Sequence, residues 1–599
     1  MQLDKSLINN RLLFRSFLIW RKKHIQDNHF IILLSIVTGF IAAIAVILLK
    51  KAVHLIQNFL TSGFLREFAN YQLIFYPAVG IFLVILFTKF ILRKPIGHGI
   101  PDVLYAISRN SGQIPGYHTF SSLIASAITV GFGGSVGLEG PSAATGAAIG
   151  SNMAKWLKID YKRIILMIGC ATAGAIAAIF KAPIAGILFA IEVLMLDLTM
   201  KAVVPLLAAS ATAALTSYAI LGPGSIYEVE VLQAFAIHHL PEYVLLGVLT
   251  GFISVYFTRV YNSMDTFFAT KFKNWFQRFL AGSVMLGVLI FFFPALYGEG
   301  YEAVSACLKG DFGYIFNNSL YYDYRNSIPV VITLFLAIII FKVVASCCTF
   351  GSGGIGGIFA PAIFMGANTG LFVATFLNYT GLSNISSTNF ALVGMAGLIA
   401  GVVHAPLTAI FMIAETTGGY SLFLPLMIVS AISYFTINYF EDNSIYTRQL
   451  AKSGELFTHD KDKMALQLLN LDRLLETNFH VIHIDSNLRE LVNVIAKSKR
   501  NVFPVIDDEG VFLGIVHLNN IRQIIFKPEL YDSTPVSSLM HYPANFVEPG
   551  DSMEEVVEKF NYSGHYNLPV LKDNKYIGFL SRANVLLEYR KMLKRFSGD

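Results

Sequence analysis

Three glycine-rich loops hold the residues whose types and spacing could do chemistry. They are Gly97-His98-Gly99-Ile100-Pro101, Gly137-Leu138-Glu139-Gly140-Pro141, and Gly351-Ser352-Gly353-Gly354-Ile355-Gly356-Gly357-Ile358-Phe359-Ala360-Pro361. In each, a proline falls where a helix would make its first turn and its missing N–H costs nothing, while glycine lets the backbone come close to an ion. Each loop therefore reads as a helix N-terminus, where free N–H groups and the positive end of the dipole offer a site to an anion. None of the three contains Lys or Arg. Weak partial charges suit an ion that must leave as readily as it enters, rather than a phosphate held tightly.

Glu139 is the most informative single residue. An ionisable group between glycines and a proline, in an apolar region, is costly enough to be a functional candidate by default. At a helix N-terminus its carboxylate would lie where an anion should, and protonation would release it, so the side chain would act as a gate. A simple helix cap or structural ion pair is the competing explanation.

Other chemistries fare worse. Gly351-x-Gly353-x-x-Gly356 satisfies a dinucleotide fingerprint formally, yet no acidic residue follows about twenty positions on and the surroundings are membrane-like. From Tyr324 to Ala414 there is no Asp or Glu, which disfavours a cation pathway lined by carboxylates. No nucleophile–base pair is recognisable, so covalent catalysis is not expected. Cys170, Cys347 and Cys348 lie in apolar segments and Cys307 stands alone, which predicts buried thiols and no disulfide framework. No His/Cys cluster has metal spacing, so no metal site is expected.

The elements that must position the loops are membrane spans. With 54% apolar and 14% charged residues in 599, the chain has too little polar surface to cover a soluble globule. Phe30 to Leu49 contains no ionisable group, and twenty residues at 1.5 Å rise are about 30 Å, one hydrocarbon core. The basic leader before it, with Arg11, Arg15, Arg21, Lys22 and Lys23, marks a cytoplasmic segment 1–28 rather than a signal peptide. That orientation rule accounts for much of the net charge of +6, and no nucleic-acid partner is expected. Later apolar stretches are short and interrupted at 97–101, 131–141, 351–361, Ala182-Pro183 and Ala405-Pro406. Backbone groups freed there need protein or a water-filled cavity, which predicts broken helices meeting near mid-membrane at a transport site.

Two repeats complete the organisation. Ala173–Glu192 aligns without gaps to Ala396–Glu415 at an offset of 223, with eight of twenty positions identical, including the Ala-Pro pair and the closing Glu. The fold expected is an all-α polytopic membrane domain of two inverted repeats with broken half-helices, over 29–450. After a linker at 451–465 comes a cytoplasmic α/β tandem, 466–530 and 531–599. There Asn501-Val502-Phe503-Pro504-Val505 with Gly514-Ile515-Val516 is echoed by Asn567-Leu568-Pro569-Val570 with Gly578-Phe579-Leu580. Each copy reads strand, turn, strand, helix.

GHGIP, GLEGP and GIFAP, with Tyr446 in SIYTRQL, resemble in order the four motifs of the CLC family of chloride channels and chloride/proton antiporters; the tail resembles a pair of CBS domains. The resemblance implies a multi-pass protein of the cell membrane with both termini cytoplasmic, and a homodimer with one chloride pathway per subunit in the lipid bilayer. It implies that His98 and Gly99, the backbone N–H groups of Ile358 and Phe359, and the Tyr446 hydroxyl hold the anion, with Glu139 as gate. It also implies an adenine nucleotide at the tail, on His517 and Asn520 of the first module and Ser581 and Asn584 of the second. A CBS-regulated divalent-cation transporter is the alternative of another class.

Three departures from the family pattern bear on the details. His98 stands in the usual serine slot, so fluoride or nitrate preference stays open beside chloride. Leu138 replaces the usual basic residue before the gate and removes a positive charge. Val193 stands where proton-coupled members usually have a second glutamate, which favours a channel gated by Glu139 over a proton-coupled antiporter. Glu192, which precedes it, shares its place with Glu415 in the repeat and reads as a structural helix end.

Overall fold

The computed structural model describes residues 16, 20–21, 23–61, 69–97, 99–196, 199–224, 227, 235–309, 312–317, 319–452, 466 and 469–596. His98, Arg11, Arg15, Lys22 and most of the expected linker 451–465 lie outside the described residues. The chain divides into two units, Met1–Leu456 and Phe457–Asp599.

In the first unit sixteen helices form two matching sets among the described residues, and a short helix, Arg448–Lys452, follows them. The first set is α1 (Asp27–Thr61), α2 (Ala69–Leu86), α3 (Ile100–Ser108), α4 (His118–Gly131), α5 (Glu139–Trp156), α6 (Tyr161–Phe180), α7 (Pro183–Glu192) and α8 (Met200–Leu221). The second is α9 (Leu240–Lys271), α10 (Trp275–Phe292), α11 (Tyr301–Leu308), α12 (Ile328–Gly351), α13 (Phe359–Tyr379), α14 (Ser387–Val403), α15 (Pro406–Thr416) and α16 (Phe423–Phe440). Each set opens on a long helix, has a very short third member and closes with a short helix before the last. Packing repeats too: α1 lies on α6 and α8 as α9 lies on α14 and α16, and α5 lies on α6 as α13 lies on α14.

Nine of the described helices are long and apolar enough to cross a membrane, while α7, α14 and α15 are apolar but shorter. The breaks have local causes. Lys181 and His404, at equivalent places in the repeat, end α6 and α14 in the left-handed region at φ 54° and 59°. Ala-Pro follows each, and proline then starts the next short helix at its first turn, where it is tolerated. The long apolar side chains of α1, such as Leu33, Leu48 and Leu55, are exposed, as a lipid-facing surface requires. The four cysteines are buried and none is in a disulfide.

The two sets are related by inversion, and two glutamates show it. Glu192, at the C-terminus of α7, accepts from the N–H groups of Leu407 (3.0 Å) and Thr408 (2.7 Å) and from the Thr408 hydroxyl (2.7 Å), all at the N-terminus of α15. Glu415, near the C-terminus of α15, accepts from the N–H groups of Ile184 (3.1 Å) and Ala185 (2.9 Å), at the N-terminus of α7. Each helix caps the start of the other, so the two run antiparallel about a two-fold axis. A carboxylate at a helix N-terminus is favoured by both the orphan donors and the dipole, and the structural role expected for both residues is what the geometry contains.

The second unit holds two three-stranded sheets. One has the order β2 (Ile482–His483), β3 (Val502–Ile506), β4 (Phe512–His517); the other is β1 (Leu475–Glu476), β6 (Lys575–Ser581), β5 (Asn567–Lys572). The expected strand–turn–strand–helix pattern is present in both copies, closed by Leu518–Ile521 and Arg582–Phe596. Asp573 and Asn574 make the second hairpin turn with φ 51° and 61°, where short polar side chains tolerate the left-handed region. β1 crosses over: it lies at the start of the first copy in sequence yet pairs with β6, and Leu469, Leu471 and Leu474 join the core of the second copy. A smaller apolar cluster, including Phe479, Phe512 and Phe579, joins the two.

Candidate functional site

The second and third glycine loops meet each other directly. Gly137 N–H donates to Gly357 carbonyl at 2.8 Å and Gly357 N–H to Gly137 carbonyl at 2.7 Å, a two-residue antiparallel bridge across the inversion axis. The approach needs glycine: a Cβ on Gly357 would lie 2.7 Å from the Gly140 nitrogen. The N-termini of α5 and α13 therefore face one place from two sides.

A cavity of about 780 Å³ opens there. It is lined by Gly97, Ile100 and Pro101 of the first loop, Gly140 of the second, Gly353 to Ile358 of the third, and Tyr446. Thus all three loops share one cavity with the tyrosine that sequence motifs alone had pointed to. Tyr446 is 6% exposed, and its hydroxyl is buried without a hydrogen-bond partner. An unsatisfied donor in such a place is expensive unless a ligand meets it. Gly99 starts α3 at φ 81° and abuts Gly140, beside the cavity rather than in its wall. Phe359 is buried, with its ring 5.7 Å from that of Phe180, so what it offers the site is backbone.

Glu139 is 1% exposed at the start of α5. Its carboxylate folds back over the loop pair: a Cβ on Gly137 would fall on its Oε2, and one on Gly357 would lie 3.5 Å from that oxygen. The Tyr301 hydroxyl donates to Oε1. Oε2 is buried without a hydrogen bond of good geometry, though the amides of Glu139 and Ala360 face the carboxylate. The carboxylate thus sits between two helix N-termini with a well-formed hydrogen bond at one oxygen, from Tyr301.

The loops lack cations, but the cavity does not. Lys89, Arg93, Lys94 and Arg448 line it against one carboxylate, Asp265. Arg448 also pairs with Glu441, and Lys89 lies 4.2 Å from the Trp275 ring. Low-dielectric walls bearing mainly positive charge raise the local concentration of anions and repel cations. Sequence reasoning missed this wall because Lys89, Arg93 and Lys94 lie more than 350 positions from Arg448.

It also missed a second ionic group beside the gate. Glu299, Lys50 and Lys342 converge on the α5 N-terminus, where the Leu138 N–H donates to Glu299 Oε1 at 3.2 Å. The positive charge absent from Leu138 is supplied from α1 and α12. The signal was there: Gly298-Glu299-Gly300 is another glutamate between glycines, and Lys342 is a lone cation in an apolar run.

In the tail, His517 ends β4, Asn520 lies on the helix that follows, Ser581 ends β6 and Asn584 lies on the helix after it. The Asn584 amide donates to Glu476, which also pairs with Arg500 at 2.6 Å. His517 stacks between His541 and His565, at ring separations of 5.2 and 5.9 Å. Burial, then its two histidine neighbours, hold it below the ordinary histidine range. Among the described residues no group of three or more His, Cys, Asp or Glu could hold a metal ion.

Inverted helical repeats whose broken ends converge on a positively lined cavity define a membrane protein with an anion site at its centre. The family described as voltage gated chloride channel matches residues 79–438, more than half of the chain, and CBS domains match 472–527 and 536–591. The chain belongs to the voltage-gated chloride channel family. A "Putative chloride channel protein ClcB-like" of Ralstonia nicotianae is 27% identical, covering 63% of this chain and 85% of that one. An "H(+)/Cl(-) exchange transporter ClcA" of Vibrio parahaemolyticus is 26% identical, covering 71% and 90%. Among solved structures, a slow cyanobacterial Cl-/H+ antiporter superposes with a TM-score of 0.59 at 22% identity, covering 72% of this chain and 98% of that one. A eukaryotic CLC transporter gives 0.58 at 19%, covering 92% and 97%. These two likenesses establish the fold.

Proposed function

We propose that the chain exchanges chloride for protons across a membrane, with Glu139 both gating the anion and carrying the proton. The observation that carries this reading is the Glu139 carboxylate between the N-termini of α5 and α13, with one oxygen tied to Tyr301 and the other unsatisfied. A carboxylate there carries the same charge as the anion it displaces; protonation removes that charge and frees the place. Ile358 and Phe359 supply backbone N–H groups to the anion, and Tyr446 its hydroxyl. Relatives named H+/Cl− exchange transporters favour exchange over the channel preferred from sequence.

Passive conduction remains the second reading, because Val193 offers no carboxylate on the route where a second one was expected. The excess of cations in the cavity speaks against a divalent-cation carrier. The proposal extends to a homodimer with one pathway per subunit, both termini cytoplasmic, and an adenine nucleotide at the tail; the carboxylate of Glu476 on Asn584 counts against the last. The test is the reversal potential of the protein in vesicles under opposed chloride and proton gradients. A value displaced from the chloride potential by the proton gradient is expected; a chloride-only value means a channel, and no flux of any anion ends the proposal.

A further inference from the structure

The segment joining α10 to α11 is built to deliver a carboxylate to the gate. Gly298 N–H donates to the Gly133 carbonyl at 3.0 Å, the Ser135 hydroxyl donates to the Leu296 carbonyl at 2.7 Å, and Lys342 Nζ donates to the Gly298 carbonyl at 2.9 Å. Gly300 adopts φ 91°, and a Cβ there would lie 2.4 Å from the Phe364 ring. With its backbone tied to two other segments, this turn places Glu299 on the Leu138 N–H, one residue before the gate. Two residues on, Tyr301 places its hydroxyl on the Glu139 carboxylate. One short stretch of chain therefore touches both the gate's carboxylate and the amide of the residue before it.

The surroundings of Glu299 are charged on several elements. Lys50 of α1, Lys342 of α12 and Glu139 of α5 lie within its electrostatic reach, and Tyr301 and Tyr227 complete the group around the two carboxylates. Lys50 also donates to the Ile179 carbonyl and feels Lys181. Lys342 is fully buried, whereas Glu299 and Lys50 are half-buried. None of Glu299, Tyr301, Lys50 and Lys342 lines the Tyr446 cavity. They form a separate station, set beside the gate and outside that cavity.

We propose that Glu299 is the proton acceptor paired with Glu139. The inference rests on the exchange reading for its direction, but on this cluster for its substance. When Glu139 carries a proton, its O–H bond breaks and an O–H bond forms on Glu299; Glu139 returns to carboxylate, and the pair keeps a total charge of −1. A transfer that leaves cluster charge unchanged avoids the large cost of creating an uncompensated charge in a desolvated place. The positive ends of Lys50 and Lys342 offset part of the cost of a carboxylate at Glu299. Glu299 is a positioning and relay residue for the reaction, whereas Glu139 meets the anion itself.

The test uses the full-length protein in vesicles, with chloride flux and proton flux measured together as external pH is varied. Glu299→Gln keeps an oxygen for the Leu138 N–H and removes the titration together with the negative charge. It is expected to lower proton movement relative to chloride about tenfold or more and to displace the pH profile of chloride flux, with Glu299→Asp restoring both. Lys50→Met should displace the profile toward higher pH. Wild-type coupling and an unshifted profile in Glu299→Gln would leave Glu299 as a helix cap only. Should the wild type move no protons, exchange fails; the pH profile of chloride flux then still decides whether Glu299 tunes the gate.

Discussion

Two kinds of glutamate stand at helix N-termini inside this membrane domain, and they differ in how fully they are bonded. Glu192 and Glu415 each spread both carboxylate oxygens over N–H groups of the opposite repeat. Glu139 meets the same kind of electrostatic field at α5 with one oxygen held and the other unsatisfied. The helix ends attract all three alike. What separates a fixed strut from a moving gate is how well the oxygens are bonded. Both accept at good geometry in the caps, whereas in the gate one is held by Tyr301 and the other only faces the amides of Glu139 and Ala360.

The comparison can be broken at its strong side first. Glu415→Ala leaves the N–H groups of Ile184 and Ala185 without acceptors, which should cost roughly 2 to 3 kcal/mol. Thermal unfolding in detergent should register the loss, and Glu192→Ala should cost at least as much, because it gives up the Thr408 hydroxyl bond besides the two N–H bonds. Anion selectivity in vesicles should persist in whatever fraction folds. If either substitution instead left stability intact and removed proton coupling, the distinction between strut and gate would be wrong.

A smaller effect sharpens the other side. Tyr446 has a buried hydroxyl with no partner in the protein, so Tyr446→Phe removes nothing that stabilises the fold. It should leave the melting temperature unchanged while weakening chloride binding about tenfold, read by calorimetry on the detergent-solubilised protein. A lowered melting temperature with unaltered binding would make the hydroxyl structural.

Much of this was legible in the sequence. The Ala-Pro repeat with its closing glutamate gave two related halves, and Glu139 stood out because a charge between glycines in an apolar stretch is costly. Cysteine burial and the hairpin turns of the tail followed from local chemistry. The missing part is non-local. Lys89, Arg93, Lys94 and Arg448 become a positively charged wall only when the segments after α2 and after α16 are brought together. Glu299 carried the same signal as Glu139, but its meaning comes from the Leu138 N–H, 161 positions away. β1 joins the sheet of the second copy for a reason no linear pattern reports, since a two-residue strand has no periodicity to read.

The central claim is that the Glu139 carboxylate occupies the anion's own place between the two helix ends. Glu139→Gln, crystallised in bromide, tests it most directly. Anomalous density should appear between the N-termini of α5 and α13, beside the nitrogens of Ile358 and Phe359, with the glutamine side chain swung away. Bromide found only near the basic residues of the cavity, with the helix ends bare, would contradict the account.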